Sequence, residues 1–142
     1  MPAERVRVRF NYLAILVAAL ACFLLEAVWY TLFMQPWLLG IGRTREFLMS
    51  LGVNPALQYG TAFLAAALSA AAISGATQLT GAQTARRGAK VGAFLWFGLV
   101  LPTWATEYVF EVRSYALFAI NTGVWLLGMI AMGAIVGAWK KK

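Results

Sequence analysis

Apolar positions along this chain do not alternate with polar ones; they arrive in long blocks separated by short charged or breaker-rich stretches. The first block, residues 11–34 (NYLAILVAALACFLLEAVWYTLFM), is long enough to cross a hydrocarbon core about 30 Å thick, which takes roughly 20 residues at helical rise, and it predicts a first transmembrane helix. Residues 35–54 carry Pro36, Gly40, Gly42 and Gly52 and read as an outer loop. Within it Thr44 to Leu51 has the pattern of a short interfacial helix. Asn54 followed by Pro55 is a cap and first-turn proline, opening a second span over 55–80 with Gly81 as its stop. Residues 81–90, GAQTARRGAK, read as a basic loop, and 91–110 as the third span, where Pro102 is expected to kink the helix. Ending that helix at Pro102 instead would leave too few apolar residues to cross. A short outer loop at 111–114 leads through the cap Ser114 to a fourth span over 115–139, and Lys140, Lys141 and Lys142 close the chain.

The second span, TAFLAAALSAAAISGAT, is rich in Ala, Ser and Gly, which lets backbones approach closely where lipid supplies no hydrophobic drive, so it is expected at the centre of the bundle. Gly133 and Gly137 form a GxxxG pair in the fourth span, a packing signal of the same kind. The fold class that follows is an all-α membrane protein, a four-transmembrane-helix bundle. Residues 1–10, MPAERVRVRF, resemble the start of a secretory signal, but the apolar run continues through Glu26 to Trp29, Tyr30 and Trp37, too long for a signal core.

Composition excludes other classes. Of 142 residues 62% are hydrophobic and 12% charged, against about 25% charged in soluble domains. The net charge of +7 does not mark a nucleic-acid surface, because the basic residues sit in clusters between apolar blocks. There is no His, every acidic residue is Glu, and Cys22, expected as a buried filler, is the one cysteine. Dithiol relays, haem or zinc ligation and aspartyl dyads are thereby disfavoured. No catalytic residue, metal site or cofactor is expected.

Arg5, Arg7 and Arg9, Arg86, Arg87 and Lys90, and Lys140, Lys141 and Lys142 fall on one side of a four-span chain, nine residues against Arg43, Arg45 and Arg113 on the other. The positive-inside rule then places both termini in the cytoplasm. A carboxylate facing lipid costs several kcal/mol, so Glu26, deep in the first span, is expected to be protonated, paired or turned to an internal cavity. Counting about 1.5 Å per residue inward from the outer ends brings Ser69, Thr103 and Asn121 near its depth. Glu26, Ser69, Thr103 and Asn121 therefore form a candidate intramembrane polar layer, one residue per helix. It reads either as a proton or cation site or as a neutral Glu bonded to Asn121 between helices. Glu107 and Glu111 stand at the outer mouth, as a weak cation site or a solvated helix end. Trp29, Tyr30, Trp37, Trp104, Tyr108 and Tyr115 near the outer ends, with Trp139 near the inner one, read as an aromatic belt, with a ligand-stacking cage as the alternative.

Asn11 before the first span, the Trp29 and Tyr30 pair, Phe33, Trp37 and the last span ending LLGMIAMGAIVGAW together resemble the bacterial integral-membrane family called domain of unknown function 1761. The resemblance covers almost the whole chain and implies a four-helix membrane protein, with no activity, cofactor or catalytic residue to carry over. Where that family often has Gly before the Ala-x-Trp-Tyr stretch, this chain has Glu26. By analogy alone, small multidrug resistance exporters are similar in having four spans and one Glu in the first; they lack this chain's long first loop and decided charge bias. The expected function is a non-enzymatic binding, accessory or assembly component of the bacterial inner (cytoplasmic) membrane. Its partners would be the lipid bilayer and a homo-oligomer or larger membrane complex, with no nucleic acid. A proton-coupled exporter using Glu26 is the alternative, and a lipid- or quinone-acting enzyme the third.

The charge asymmetry makes a direct prediction. In intact cells, cysteines placed at residues 3, 87 and 141 should be shielded from an impermeant thiol reagent, while Arg45→Cys should label. Outside labelling of Arg87→Cys would reverse the orientation.

Overall fold

Caps set where the helices begin. In the computed structural model, which describes residues 7–81 and 83–140, the side chains of Asn11, Thr44, Asn54, Thr84 and Ser114 each accept a hydrogen bond from a backbone N–H of the turn they precede. Each bond satisfies one of the donors a helix start leaves open. The elements are α1 (Tyr12–Leu32), α2 (Met34–Ile41), α3 (Arg45–Ser50), α4 (Pro55–Leu79), α5 (Ala85–Leu95), α6 (Leu101–Phe110) and α7 (Tyr115–Ala138). No strand occurs among the described residues. Four helices are long and apolar enough to cross a membrane: α1, α4, the continuous run Ala85–Phe110, and α7.

Two boundaries and one turn differ from the sequence reading. Residues 35–54 hold two helices instead of one, because Pro36 falls in the first turn of α2, where its missing N–H costs nothing. Gly40 then lets α2 lie on α7: a Cβ there would come 2.8 Å from the Cβ of Leu117. The third span starts at Ala85, not Val91, since Thr84 caps it and Gly88 is a packing position instead of a loop residue. Within that span Trp96–Val100 forms a wide turn in which the Leu101 N–H reaches back five residues to the Trp96 carbonyl. Pro102, which has no N–H to give, follows directly, and a widened turn is how a helix absorbs such a gap.

Hydrogen bonds tie the N-terminal segment, the α4–α5 turn and the end of α7 into one end of the bundle. The Arg9 N–H donates to Gln78 Oε1 at 2.9 Å, Gln83 Nε2 to the Val136 carbonyl at 2.7 Å, and Asn11 Nδ2 to the Trp139 carbonyl at 3.5 Å. This basic end gathers Arg7, Arg9, Arg86, Arg87, Lys90 and Lys140; Arg5, Lys141 and Lys142 lie outside the described residues.

The central helix is α7, not α4. It buries ten residues, from Leu117 to Gly137, and packs against every other spanning helix. Helix α4 buries five, all from Ala66 to Thr77, while Pro55 to Thr61 stay exposed. Alanine richness was a poor guide to centrality because a small side chain permits close approach on one face only. The closest approach is between α5 and α7. A Cβ on Gly88 or Gly133 would collide with the other's carbonyl oxygen, one on Gly92 with the carbonyl of Met129, and one on Gly137 with that of Thr84. Beside this seam, Ala18, Ala19 and Cys22 of α1, Ala66, Ala70 and Ile73 of α4, and Met132 and Val136 of α7 make the core of the basic half.

Gly88→Ala should therefore cost about 1–3 kcal/mol, since the added methyl meets backbone that cannot rotate away. Gly60→Ala, on the open face of α4, should gain about 0.5–1 kcal/mol from helix entropy. Thermal denaturation in detergent checks both; equal small shifts would mean that the α5–α7 seam is loose.

Candidate functional site

Outward from the alanine core, the residues between α1 and α4 become large. Phe23 of α1 sits edge-on to Tyr59 and Phe63 of α4, with ring centroids 6.1 and 6.2 Å away. Rings need more room than methyl groups, and from Pro55 to Ala65 α4 buries no residue. The space here is a cleft of about 770 Å³. Its wall on α1 is Glu26 and Tyr30; Trp104 of α6 and Asn121 and Trp125 of α7 face them. Trp37 of α2, with Arg45 and Leu48 of α3, lines it from the connecting segment, and Gln58, Tyr59 and Ala62 from α4.

The polar groups here are not equivalent. Tyr30 Oη donates to Asn121 Oδ1 at 3.0 Å, and Asn121 Nδ2 donates to Tyr108 Oη at 2.6 Å. The amide is thus committed on both sides, to α1 and to α6. Trp29 Nε1 donates to the Ile120 carbonyl and Trp96 Nε1 to the Thr122 carbonyl, at 3.0 and 2.9 Å, which fixes the α7 backbone on either side of Asn121. Glu26 has no such partner. Its carboxyl makes no hydrogen bond and no ion pair with any described residue, and it lines the cleft. Arg45, on α3, shares the cleft without pairing to it.

Of the proposed polar layer, the fold brings Glu26 and Asn121 to one cleft but does not bond them. Ser69 is half-buried outside the cleft lining, and Thr103 is exposed, its hydroxyl donating to the Leu99 carbonyl at 2.6 Å. Helical phase was not readable by counting, and Thr103 satisfies itself within its own helix. Glu111 pairs with Arg113, both about half exposed, a geometry that contributes little stability, while Glu107 is exposed one turn earlier. No cluster of three metal-ligating side chains occurs among the described residues.

The aromatic residues divide into groups. Tyr115 and Trp139 are exposed as a belt requires. Tyr30, Trp37 and Trp104 instead turn into the cleft. Trp29 is half-buried against α7, and Tyr108 is buried, stacked on Trp104 with centroids 6.1 Å apart and covered by the Arg113 guanidinium 5.3 Å from its ring centre. Val112, at φ 52, makes the turn that returns Arg113 to this position. Sequence reasoning missed Phe23, Tyr59 and Trp125 as wall residues. They stand on helix faces whose direction no spacing rule revealed. Arg45 was missed too, because α3 was placed at the interface with nothing below it, and Gln58 and Ala62 were missed because the facing side of α4 could not be read from spacing.

A second hollow, about 340 Å³, lies at the start of α5 among Thr84, Arg86, Arg87 and Lys90. There Arg87 is committed to the Thr80 carbonyl.

Residues 13–137 match the family model described as protein of unknown function (DUF1761). No curated protein and no solved structure matches the chain.

Asn121→Ala should destabilise by about 1–3 kcal/mol, because the hydroxyls of half-buried Tyr30 and buried Tyr108 lose their partner. Glu26→Gln, at a side chain that bonds to nothing, should stay within about 0.5 kcal/mol of the parent. Thermal unfolding of both variants in one detergent is the check; a large loss in Glu26→Gln would reveal a partner for the carboxyl.

Proposed function

The chain belongs to the DUF1761 family, and we propose that it is a non-enzymatic, membrane-embedded binding protein whose cleft receives a small molecule at the outer half of the bundle. The carrying observation is the unpaired Glu26 carboxyl lining a cleft of about 770 Å³, within the volume range of small-molecule sites. A bundle gains nothing in stability from an acid left without a partner at membrane depth. The walls support the same reading, since they are aromatic and apolar with few polar groups, as ligand sites are. We place the protein in a bacterial inner membrane with both termini cytoplasmic, on the strength of the basic end and the positive-inside rule.

The second reading, a proton-coupled exporter, is favoured by the position of Glu26 itself. An exporter must also open toward the basic end, where Ala18, Ala19, Ala66, Ala70 and Met132 pack closely. Proton-linked flux in liposomes would establish it.

Binding is tested with an uncharged aromatic probe, naphthylethanol, by equilibrium dialysis against nanodiscs with and without protein. Saturable uptake above the empty-disc baseline, reduced several-fold by Ala62→Leu, is the expected result. Uptake that never saturates, or that ignores Ala62→Leu, would mean that the cleft holds no ligand.

A further inference from the structure

We infer that the cleft selects an organic cation, with an ammonium group set against Glu26 and an apolar body among the rings. This rests on the binding reading above. Glu26 is the one acidic side chain lining the cleft, and no described residue forms an ion pair with it. An isolated carboxylate in a low-dielectric site demands a partner. Arg45 does not fill that need: it is exposed, on α3, and pairs with no acid among the described residues.

Asn121 does not compete for the ligand, because Tyr30 and Tyr108 use its amide oxygen and nitrogen. Glu26 is the one acidic group there that can meet a cationic ligand's charge. Around it stand Phe23, Tyr30, Trp37, Tyr59, Trp104 and Trp125. Aromatic faces attract a positive charge within about 6 Å of a ring centroid, the more so when water is excluded, so the wall that suits the apolar body also favours the charge. An anion of the same shape would meet the Glu26 carboxyl instead. A neutral molecule would fit the walls but leave the acid unpaired.

The test uses three probes with one body: naphthylethylammonium, naphthylethanol and naphthylpropionate, each dialysed against nanodiscs of uncharged-net lipid with and without protein. The ammonium should bind about tenfold tighter than the alcohol, the margin of one charge-assisted contact, and the propionate weakest. Glu26→Gln should remove that margin, bringing the ammonium and the alcohol to equal affinity. Ala62→Leu, which fills the cleft without touching the acid, should weaken the ammonium and the alcohol together, so the site remains testable if Glu26→Gln folds poorly. Equal binding of ammonium and alcohol in the parent protein would overturn the cation selectivity while leaving the binding reading intact. So would a margin that survives in Glu26→Gln. Saturable binding of none of the three would overturn both.

Discussion

Backbone meets backbone where Gly88 of α5 lies on Gly133 and Gly137 of α7 and Gly92 lies on Met129, and the arrangement of the other helices follows from that contact. In lipid, apolar surface gains nothing by being hidden from its surroundings, so helices associate through close packing and polar bonds. Four glycines in register provide the packing at no side-chain entropy cost. With α5 fixed on one side, α7 presents Met132 and Val136 to α1 and α4, whose Ala18, Ala19, Ala66 and Ala70 fit the narrow space. The basic half of the bundle is consequently closed.

The opposite half departs from this plan because its residues are larger and more polar. Phe23 wedges against Tyr59 and Phe63, α4 buries no residue from Pro55 to Ala65, and α7 is held by hydrogen bonds instead of by glycine contacts. Asn121 bridges two tyrosines, and the indoles of Trp29 and Trp96 reach carbonyls, whereas Glu26 points into open space. A carboxyl at that depth is costly to keep, and an unmet need for a partner is what separates a binding site from a packing defect.

Much of this was legible in the chain. Four spans followed from run length, and Asn54–Pro55 and Ser114 marked helix starts that the fold keeps. Other features failed for identifiable reasons. Pro36 and Gly40 read as breakers, yet a proline in a first turn and a glycine against Leu117 are both compatible with helix α2. Gly88 read as loop because flanking arginines looked solvated; its role depends on Gly133, a partner 45 positions away that only the fold supplies. Glu26 and Asn121 were matched by depth, but the tyrosines that claim Asn121 lie on faces that a count of rise per residue does not determine.

The bundle is closed at one half and open at the other, and cysteine accessibility along α4 tests that most directly. Ala62 lines the cleft, and Ala70, two turns further along the same helix, is fully buried in the alanine core. A water-soluble methanethiosulfonate applied to protein in nanodiscs should modify Ala62→Cys readily and leave Ala70→Cys untouched, with buried Cys22 silent as the background. An unreactive Ala62→Cys, or equal modification of both positions, would contradict the cleft.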